Sequence, residues 1–215
     1  MTDSRKPSSS VTRRSLLASS GAAALLLSAP GILRASAAQR RLNMQSLNSG
    51  EKLNIIYWEN GAYISKARDR IDWFMRDLRT GESTRMHADL LDLLWEIDQV
   101  TKSTAPIYTM SAYRSPSTNA KLAATTDGID PSSFHMRGMA IDVTQDFSDP
   151  EAFFTAAKSL ARGGAGFYPV ARPFVHVDVG PVDSWVHPQM GRPNRAEEYD
   201  RLQAQQSRQE PGQTP

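Results

Sequence analysis

The segment FVHVDVG, residues 174–180, alternates apolar and polar side chains, and this alternation constrains the fold more than any other feature of the chain. Successive side chains of an extended strand point to opposite faces, so the three valines share one face. His176 and Asp178 share the other. Because valine suits a packed sheet surface, the segment predicts a strand with one face in a core and the other presenting a histidine and a carboxylate.

A second segment, SFHMRGMAID over residues 133–142, places His135 seven residues before Asp142. Gly138 weakens a helix interior, and the Ile and Val that follow it favour extended structure. The segment therefore predicts a loop that carries His135, a glycine turn, and a strand over 139–143 with Asp142 on its less apolar face. That carboxylate needs a partner, because an unpaired buried carboxylate is costly.

Two histidines and one carboxylate, His135, Asp142 and His176, are the ligand set of a catalytic zinc site that keeps its fourth position for water. Imidazole and carboxylate donors without a thiolate also suit other divalent metals. The competing interpretation is three unrelated residues: a surface histidine, a capping aspartate and a histidine satisfied within the core. The spacing alone leaves both interpretations open, because the pattern is short.

The remaining segments predict both strands and helices. Turn signals at NSG and NG divide residues 42–64 into short strands, and PIYTMSAYR predicts another strand. Apolar side chains at helical spacing predict amphipathic helices over 66–79 and 87–102. Asp149, followed by proline, is typical of a helix N-terminus, and Gly163 is placed to end that helix.

Positive charge is concentrated at the N-terminus. The sequence pI is near 9.0, yet residues 1–37 hold five basic side chains and one acidic side chain. Subtracting these from the 25 basic and 23 acidic side chains of the whole chain leaves 20 and 22, a net charge of −2. The remainder lacks the excess of basic residues that marks nucleic-acid binding, so we expect no nucleic-acid partner.

Residues 1–37 predict a twin-arginine signal peptide. Arg13 and Arg14 precede the apolar run LLASSGAAALLLSAPGIL, and the small-residue cleavage site ASA ends at Ala37. A transmembrane helix needs about 20 strongly apolar residues, whereas this run is weakly apolar and is interrupted by glycine and proline. We therefore expect export of the folded protein to the periplasm or another extracytoplasmic space, with no stable membrane span after cleavage.

Composition limits the exported part to one domain. At 215 residues, with 40% hydrophobic side chains, the chain can bury a single core. It has no cysteine, so its stability rests on that core and on any bound metal. We expect a folded domain over 38–190 that acts as a monomer. The polar tail over 191–215, rich in Gln, Arg, Glu and Pro, predicts disorder.

Residues 133–142 match Ser-x-His-x-x-Gly-x-Ala-x-Asp at every fixed position. This motif resembles that of the zinc peptidases of the D-alanyl-D-alanine carboxypeptidase superfamily, which share a fold with the hedgehog signalling domain. SAYRSPSTN upstream, and GGAGFYP and FVHVDVGP downstream, are similar to the exported murein endopeptidase K branch. The resemblance covers about residues 42–185 and implies an α+β fold, a small antiparallel sheet with flanking helices. Four ordered motifs are more specific than one.

The resemblance implies three zinc ligands: His135, Asp142 and His176. It also implies that Arg114 lies at the end of a strand and faces the site, where its rigid fork suits a carboxylate or a developing oxyanion. Ser133 is a candidate either for binding substrate or for orienting the loop that holds the first ligand. Tyr113 is a candidate for the wall of the substrate cleft.

The general base is where the sequence departs from its better-known relatives. Many carboxypeptidases of the superfamily have an acidic residue three positions before the last histidine ligand, and Pro173 occupies that position here. Others have a histidine two positions before that ligand, where this chain has Phe174. Asp178, the nearest acid, shares the predicted face of His176 and is a candidate for general base or for orienting a ligand. His187 is a poorer candidate, because nearby prolines predict a loop.

The implied activity is zinc-dependent hydrolysis of amide bonds in the stem peptides or cross-links of peptidoglycan. Two alternatives stay open. An iron(II) oxygenase would use the His-x-Asp pair of His176 and Asp178, but it would need a distant second histidine and would leave SFHMRGMAID without a role. A non-catalytic, metal-stabilised murein-binding module is favoured by the absence of an acid at Pro173.

Overall fold

The computed structural model describes residues 37–126, 129–188 and 195–209. Its strands are β1 (Gln39–Ser46), β2 (Lys52–Glu59), β3 (Ala62–Tyr63), β4 (Ile107–Ser111), β5 (Ala140–Thr144), β6 (Gly164–Tyr168), β7 (Phe174–Asp178) and β8 (Asp183–Val186). Its helices are α1 (Ser65–Phe74), α2 (Ala88–Thr101), α3 (Pro116–Ala123), α4 (Pro150–Leu160) and α5 (Arg195–Gln209), with a 3₁₀ turn over Phe134–Arg137. The predicted signal peptide, up to residue 36, lies outside the described residues.

The strands form one eight-stranded sheet in the order β3-β2-β1-β4-β5-β7-β6-β8. The predicted α+β class is confirmed, but the small antiparallel sheet is wrong. The sheet is larger and mixed, because β1 pairs with β4 and β6 pairs with β8 in parallel. A parallel pair needs a long crossover, and the segment containing α1 and α2 supplies it between β2 and β4. The alternation of apolar and polar residues within a strand does not indicate which strand is its neighbour, so the parallel pairs could not be predicted from it.

Strands β1 and β7 alternate as their sequences predict. In β1, Leu42 and Met44 are buried while Asn43 between them is exposed. In β7, Val175 and Val177 are fully buried. Strand β5 begins and ends one residue later than the predicted range of 139–143. One face of the sheet centre is therefore apolar, which leaves the opposite face of β5 and β7 for polar side chains.

Helices α2 and α4 cover the apolar face of the sheet. Leu90 and Ile97 of α2 and Phe153 of α4 are buried in the same core as the valines of β7. Asp149 accepts a hydrogen bond from the N–H of Ala152, which confirms the predicted start of α4. Among the described residues, no helix has the length and apolar character needed to cross a membrane.

The polar tail differs from the predicted disorder over Arg195–Gln209, which form helix α5. Ala196 is buried with Phe134 in a small second apolar cluster, and Arg137 forms an ion pair with Asp200 at 2.7 Å. The helix contacts the domain through few apolar residues, so the apolar periodicity that identifies a packed helix is weak here. The other residues of the predicted tail, 191–194 and 210–215, lie outside the described residues.

Candidate metal centre

Strands β5 and β7 bring Asp142 and His176 side by side. The strands are antiparallel, and their register pairs Asp142 with His176 and Ala140 with Asp178. Directly opposite residues of an antiparallel pair project from the same face of the sheet. Both side chains therefore leave the sheet on the face opposite the buried valines, and His176 Nδ1 lies 3.0 Å from Asp142 Oδ1.

The 3₁₀ turn before β5 brings His135 to the same point. Ser133 Oγ accepts a hydrogen bond from the N–H of His135 at 3.3 Å, and Gly138 ends the turn with a left-handed φ of 66°. This conformation favours glycine, as the predicted glycine turn requires. His135 Nε2 then lies 3.3 Å from His176 Nδ1 and 3.4 Å from Asp142 Oδ1.

Hydrogen bonds on the far sides of the two rings determine where their protons lie. His135 Nδ1 is 2.7 Å from the carbonyl oxygen of Ala112. A carbonyl only accepts, so Nδ1 carries the proton and Nε2 presents a lone pair. His176 Nε2 is 3.1 Å from Asp178 Oδ2, so Nε2 donates, and the neutral form of the ring presents a lone pair at Nδ1. Two ring lone pairs and a carboxylate oxygen of Asp142 thus converge, an arrangement that a cation satisfies.

The spacing of the three atoms fits zinc. Ligand atoms lie about 2.0–2.1 Å from zinc, so two ligands of a tetrahedral ion are about 3.3–3.4 Å apart. The three separations in this structure are 3.0, 3.3 and 3.4 Å. Within the described ranges, one group of side chains has ligand atoms close enough together to hold a metal ion: His135, Asp142 and His176.

The electrostatics of the site favour a positive charge at this point. Burial lowers the pKa of His135 below its ordinary value, although Asp142 opposes that shift. Burial also lowers the pKa of His176, but hydrogen bonds with Asp142 and Asp178 outweigh it and raise the pKa to about 9. Burial opposes ionisation of Asp142 and of Asp178. The neighbouring histidines outweigh burial at Asp142, and His176 and Arg195 outweigh it at Asp178, so both carboxyls have pKa values below the usual range. A proton and a metal ion therefore compete for this centre.

Asp178 is fully buried, and both of its oxygens are engaged. Oδ1 accepts hydrogen bonds from the N–H groups of Gly164 and Gly180 at 3.1 and 2.8 Å, and Oδ2 faces His176. Arg195 reaches both oxygens, at 2.6 and 2.8 Å. A carboxylate held in this way can orient His176, whereas taking a proton from water would break an existing contact. Of the two roles that the sequence leaves open, the geometry favours orientation.

Arg114 follows β4 and lies beside the centre. Its N–H donates to the carbonyl oxygen of His135 at 3.2 Å, its Nη1 donates to Asn119 Oδ1 at 3.1 Å, and its Nη2 lies 3.7 Å from Asp142 Oδ2. Burial lowers the pKa of Arg114, although Asp142 opposes this shift. Nε is buried without a hydrogen-bond partner in the described structure, and the part of the guanidinium nearest the centre is Nη2.

The other sequence candidates differ in their relation to this centre, and the cavity that Tyr113 lines includes none of the three candidate ligands. Ser133 uses its hydroxyl to cap the turn that carries His135, which favours the loop-orienting role over substrate binding. Tyr113 is half-buried and lines a cavity with Arg79 at the end of β4. His187 stacks on Tyr168 with ring centroids 5.5 Å apart and is not part of the ligand group.

Trp185 and Tyr168 form a wall of the site, and Trp185 is the part of it that the sequence did not assign. Trp185 Nε1–H donates to the Tyr168 hydroxyl at 3.1 Å, and the indole lies 5.5 Å from the ring of His176. A Cβ on Gly166 would come within 2.3 Å of that indole, so the glycines of GGAGFYP are the signal that could have indicated it. Burial raises the pKa of Tyr168, although the positive charge of Arg114 opposes this shift. Its hydroxyl is a neutral donor at neutral pH.

A mixed sheet that brings two histidines and one carboxylate together on one face, beside a buried arginine, defines a metallopeptidase-type centre. Residues 34–185 match the family described as Peptidoglycan L,D-endopeptidase MepK. The chain therefore belongs to this family of M15 peptidases.

Curated relatives agree with the family match. Peptidoglycan L,D-endopeptidase MepK of Escherichia coli (strain K12) is 31% identical over 176 residues, which cover 80% of this chain and 96% of that protein. Probable peptidoglycan L,D-endopeptidase MepK of Haemophilus influenzae is 32% identical over 147 residues, which cover 68% of this chain and 78% of that protein. No solved structure matches the chain significantly.

Proposed function

We propose that the chain is a zinc-dependent peptidoglycan endopeptidase that hydrolyses amide bonds in stem peptides or their cross-links. The names of its relatives support the substrate and point to bonds between an L- and a D-centre. One observation carries the metal dependence. The ring protons of His135 and His176 are held on the outer nitrogens, so the inner lone pairs converge with Asp142 at the spacing of zinc ligands.

Three atoms would hold the ion: His135 Nε2, His176 Nδ1 and Asp142 Oδ1. When bound, zinc supplies Lewis-acid polarisation of the scissile carbonyl and lowers the pKa of water. The chain keeps the ligands in the required state from behind. The Ala112 carbonyl and the Asp178 carboxylate hold the two ring protons away from the centre.

Arg114 and Tyr168 are the groups that we assign to the substrate. The guanidinium of Arg114, whose Nη2 lies beside Asp142, suits a substrate carboxylate or the negative charge that develops on the carbonyl oxygen during hydrolysis. The Tyr168 hydroxyl already accepts a hydrogen bond from Trp185, so its own proton is free to be donated to the substrate. Ser133 holds the turn that carries the first ligand, and Tyr113 stays a candidate for the cleft wall only through its place next to Arg114 in the chain.

A non-catalytic, metal-stabilised murein-binding module is the alternative function. It is favoured by Pro173 at the position where many relatives have an acid, and by the engagement of both oxygens of Asp178. The two functions share the substrate and the metal. They differ in whether an amide bond is broken.

Digestion of purified peptidoglycan decides between the two functions. We expect the zinc-loaded protein to convert cross-linked muropeptides into smaller products, whose masses identify the bond that is cut. A chelator should stop the reaction and added zinc should restore it, while His135→Ala should give no product. Binding to peptidoglycan with no new product in the presence of zinc would overturn the enzyme and identify the binding module.

We further propose that the signal peptide over residues 1–37 directs the folded domain to the periplasm by the twin-arginine route. Arg13 and Arg14, the weakly apolar run and the small-residue site support this route. The substrate supports it as well, because peptidoglycan lies outside the cytoplasm.

A further inference from the structure

We propose that Arg195 of helix α5 is a positioning residue of the metal centre, which acts through Asp178 on His176. The inference rests on the proposed function, because it concerns the orientation of a zinc ligand. Arg195 lies ten residues beyond residue 185, where the family match ends. The polar helix that carries it has little apolar surface of its own, yet it delivers a buried charge to the back of the site.

The contact between Arg195 and Asp178 is a buried fork. Nη1 donates to Asp178 Oδ2 at 2.6 Å and Nη2 donates to Oδ1 at 2.8 Å. Nη2 also donates to the carbonyl oxygen of Pro181. Two parallel hydrogen bonds fix the rotation of the carboxylate as well as its position. Since Oδ2 is also the atom that faces His176 Nε2, the fork determines where that acceptor lies.

The surrounding chain is built to accommodate this fork. A Cβ on Gly164 would come within 2.3 Å of Asp178 Oδ2 and 2.4 Å of Arg195 Nη2. The guanidinium also lies 5.5 Å from the ring of Phe134 and 5.4 Å from that of Trp185. Phe134 directly precedes the first ligand in sequence, and Trp185 packs near the last. Arg195 thus ties both ligand-bearing segments to one carboxylate.

Loss of this fork would leave the Asp178 carboxylate buried with hydrogen bonds but without its counter-ion. The N–H groups of Gly164 and Gly180 would still hold Oδ1, but Oδ2 would lose the donor that fixes its position, and the ring of His176 would present Nδ1 less rigidly. Removing a group that orients a metal ligand typically weakens metal affinity by about 10–100-fold. In the contacts described, Arg195 hydrogen-bonds none of the three candidate ligands, so this effect would be indirect and transmitted chiefly through Asp178.

The test uses Arg195→Met in the full-length mature protein, with Asp200→Asn as the matched control. Asp200 lies on the same helix and pairs with Arg137 on the surface, away from Asp178. Zinc affinity is measured by competition with a chromophoric chelator, and kcat and KM are measured on a soluble cross-linked muropeptide. We expect Arg195→Met to bind zinc about 10–100-fold more weakly, with a fall in kcat that is larger than any change in KM. Asp200→Asn should match the wild type in zinc affinity, kcat and KM.

Two results would overturn the inference. One is a folded Arg195→Met protein with wild-type zinc affinity and kcat. The other is an equal loss in Asp200→Asn, which would show that only docking of the helix matters. If Arg195→Met does not fold, Arg195→Lys decides, because lysine keeps the charge but not the fork. We expect it to weaken zinc binding, and unchanged affinity would reject the role. A wild-type protein that binds no zinc would instead reject the proposed function itself.

Discussion

His135 and His176 offer different ring nitrogens to the centre. His135 presents Nε2 because its Nδ1 donates to the carbonyl of Ala112, and His176 presents Nδ1 because its Nε2 donates to Asp178. Each ligand atom is therefore set by a hydrogen bond on the far side of its ring. Neither ring can be replaced by a residue that lacks this pair of opposed nitrogens.

Alanine substitution of each ligand should abolish stable zinc binding and activity: His135→Ala, Asp142→Ala and His176→Ala. The wild-type protein should retain one zinc per chain after dialysis, measured by elemental analysis, because three protein ligands hold a catalytic ion. His187→Ala is the control, since that ring stacks on Tyr168 outside the ligand group. Full zinc occupancy in all three alanine variants would contradict the site.

Asp178→Asn separates orientation of the ligand from general-base catalysis. If Asp178 orients His176, zinc affinity should fall by about 10–100-fold and excess zinc should restore turnover. If Asp178 is the base, turnover should fall by roughly 10²–10⁴-fold while zinc affinity is unchanged. We expect the first result, because both oxygens of Asp178 are already engaged. Calorimetric zinc titration and steady-state kinetics on the same variant distinguish the two outcomes.

The sequence predicted the three ligand candidates but not the groups behind them. Alternation in FVHVDVG and the ten-residue motif are patterns of residue type, so they identify the side chains of His135, Asp142 and His176. The acceptor for His135 is a backbone carbonyl, which leaves no trace in residue type. Arg195 is one of many basic residues in a polar segment, and its importance depends on a contact with Asp178 across 17 positions of the chain.

The segment between α1 and α2 anchors the chain that carries Arg114. Asp77 in this segment is buried, and its Oδ2 accepts the N–H of Ser115 at 2.9 Å, at the start of α3. Its Oδ1 accepts the N–H of Arg79 at 2.9 Å. Burial opposes ionisation of Asp77, but hydrogen bonds from Thr118, Ser115 and Arg79 outweigh it and lower its pKa to about 2. The ionised carboxylate therefore joins two segments beside the site.

Asp77→Asn should destabilise the protein near neutral pH and have less effect in acid. An unfolded Asp has a pKa of about 3.9, whereas the folded pKa is about 2. The contribution of ionised Asp77 is thus complete above the unfolded value and is lost as pH falls to the folded value. Hydrogen bonds to a charged group contribute about 1.5–3 kcal/mol each, so a loss of that order is expected at pH 7. Urea unfolding of both proteins at pH 7 and pH 3 checks this, and an equal difference at both values would contradict it.

Elements with strong periodicity were predicted more closely than those shaped by neighbours. Helix α2 was predicted over 87–102 and spans Ala88–Thr101, because apolar residues recur along its buried face. Strand β6 was not predicted, since glycine is depleted in strands. Its glycines are present because Gly164 and Gly166 leave room for Arg195 and Trp185. That requirement comes from contacts made by distant residues.

The domain has no cysteine to cross-link it, and the proposed metal centre would join segments that are far apart in the chain. A ligand that binds only the folded state stabilises it by about 4 kcal/mol at a free concentration 1,000 times its Kd. Removal of zinc should therefore lower the Tm of the wild-type protein, and added zinc should raise it again. His176→Ala provides the comparison, because its Tm should respond to neither treatment. An equal response of both proteins in a calorimetric scan would show that zinc stabilises the fold from somewhere else.

The proposed export of the domain would depend on the N-terminal residues that precede it. Arg13 and Arg14 stand before a weakly apolar run and a small-residue site that ends at Ala37, so the mature protein should begin near Ala38. Changing both arginines to lysine keeps the charge but removes the twin-arginine signal, and the precursor should accumulate in the cytoplasm. Cell fractionation and N-terminal sequencing measure both outcomes. Normal export of the double-lysine protein would reject the twin-arginine route while leaving export by another route in place.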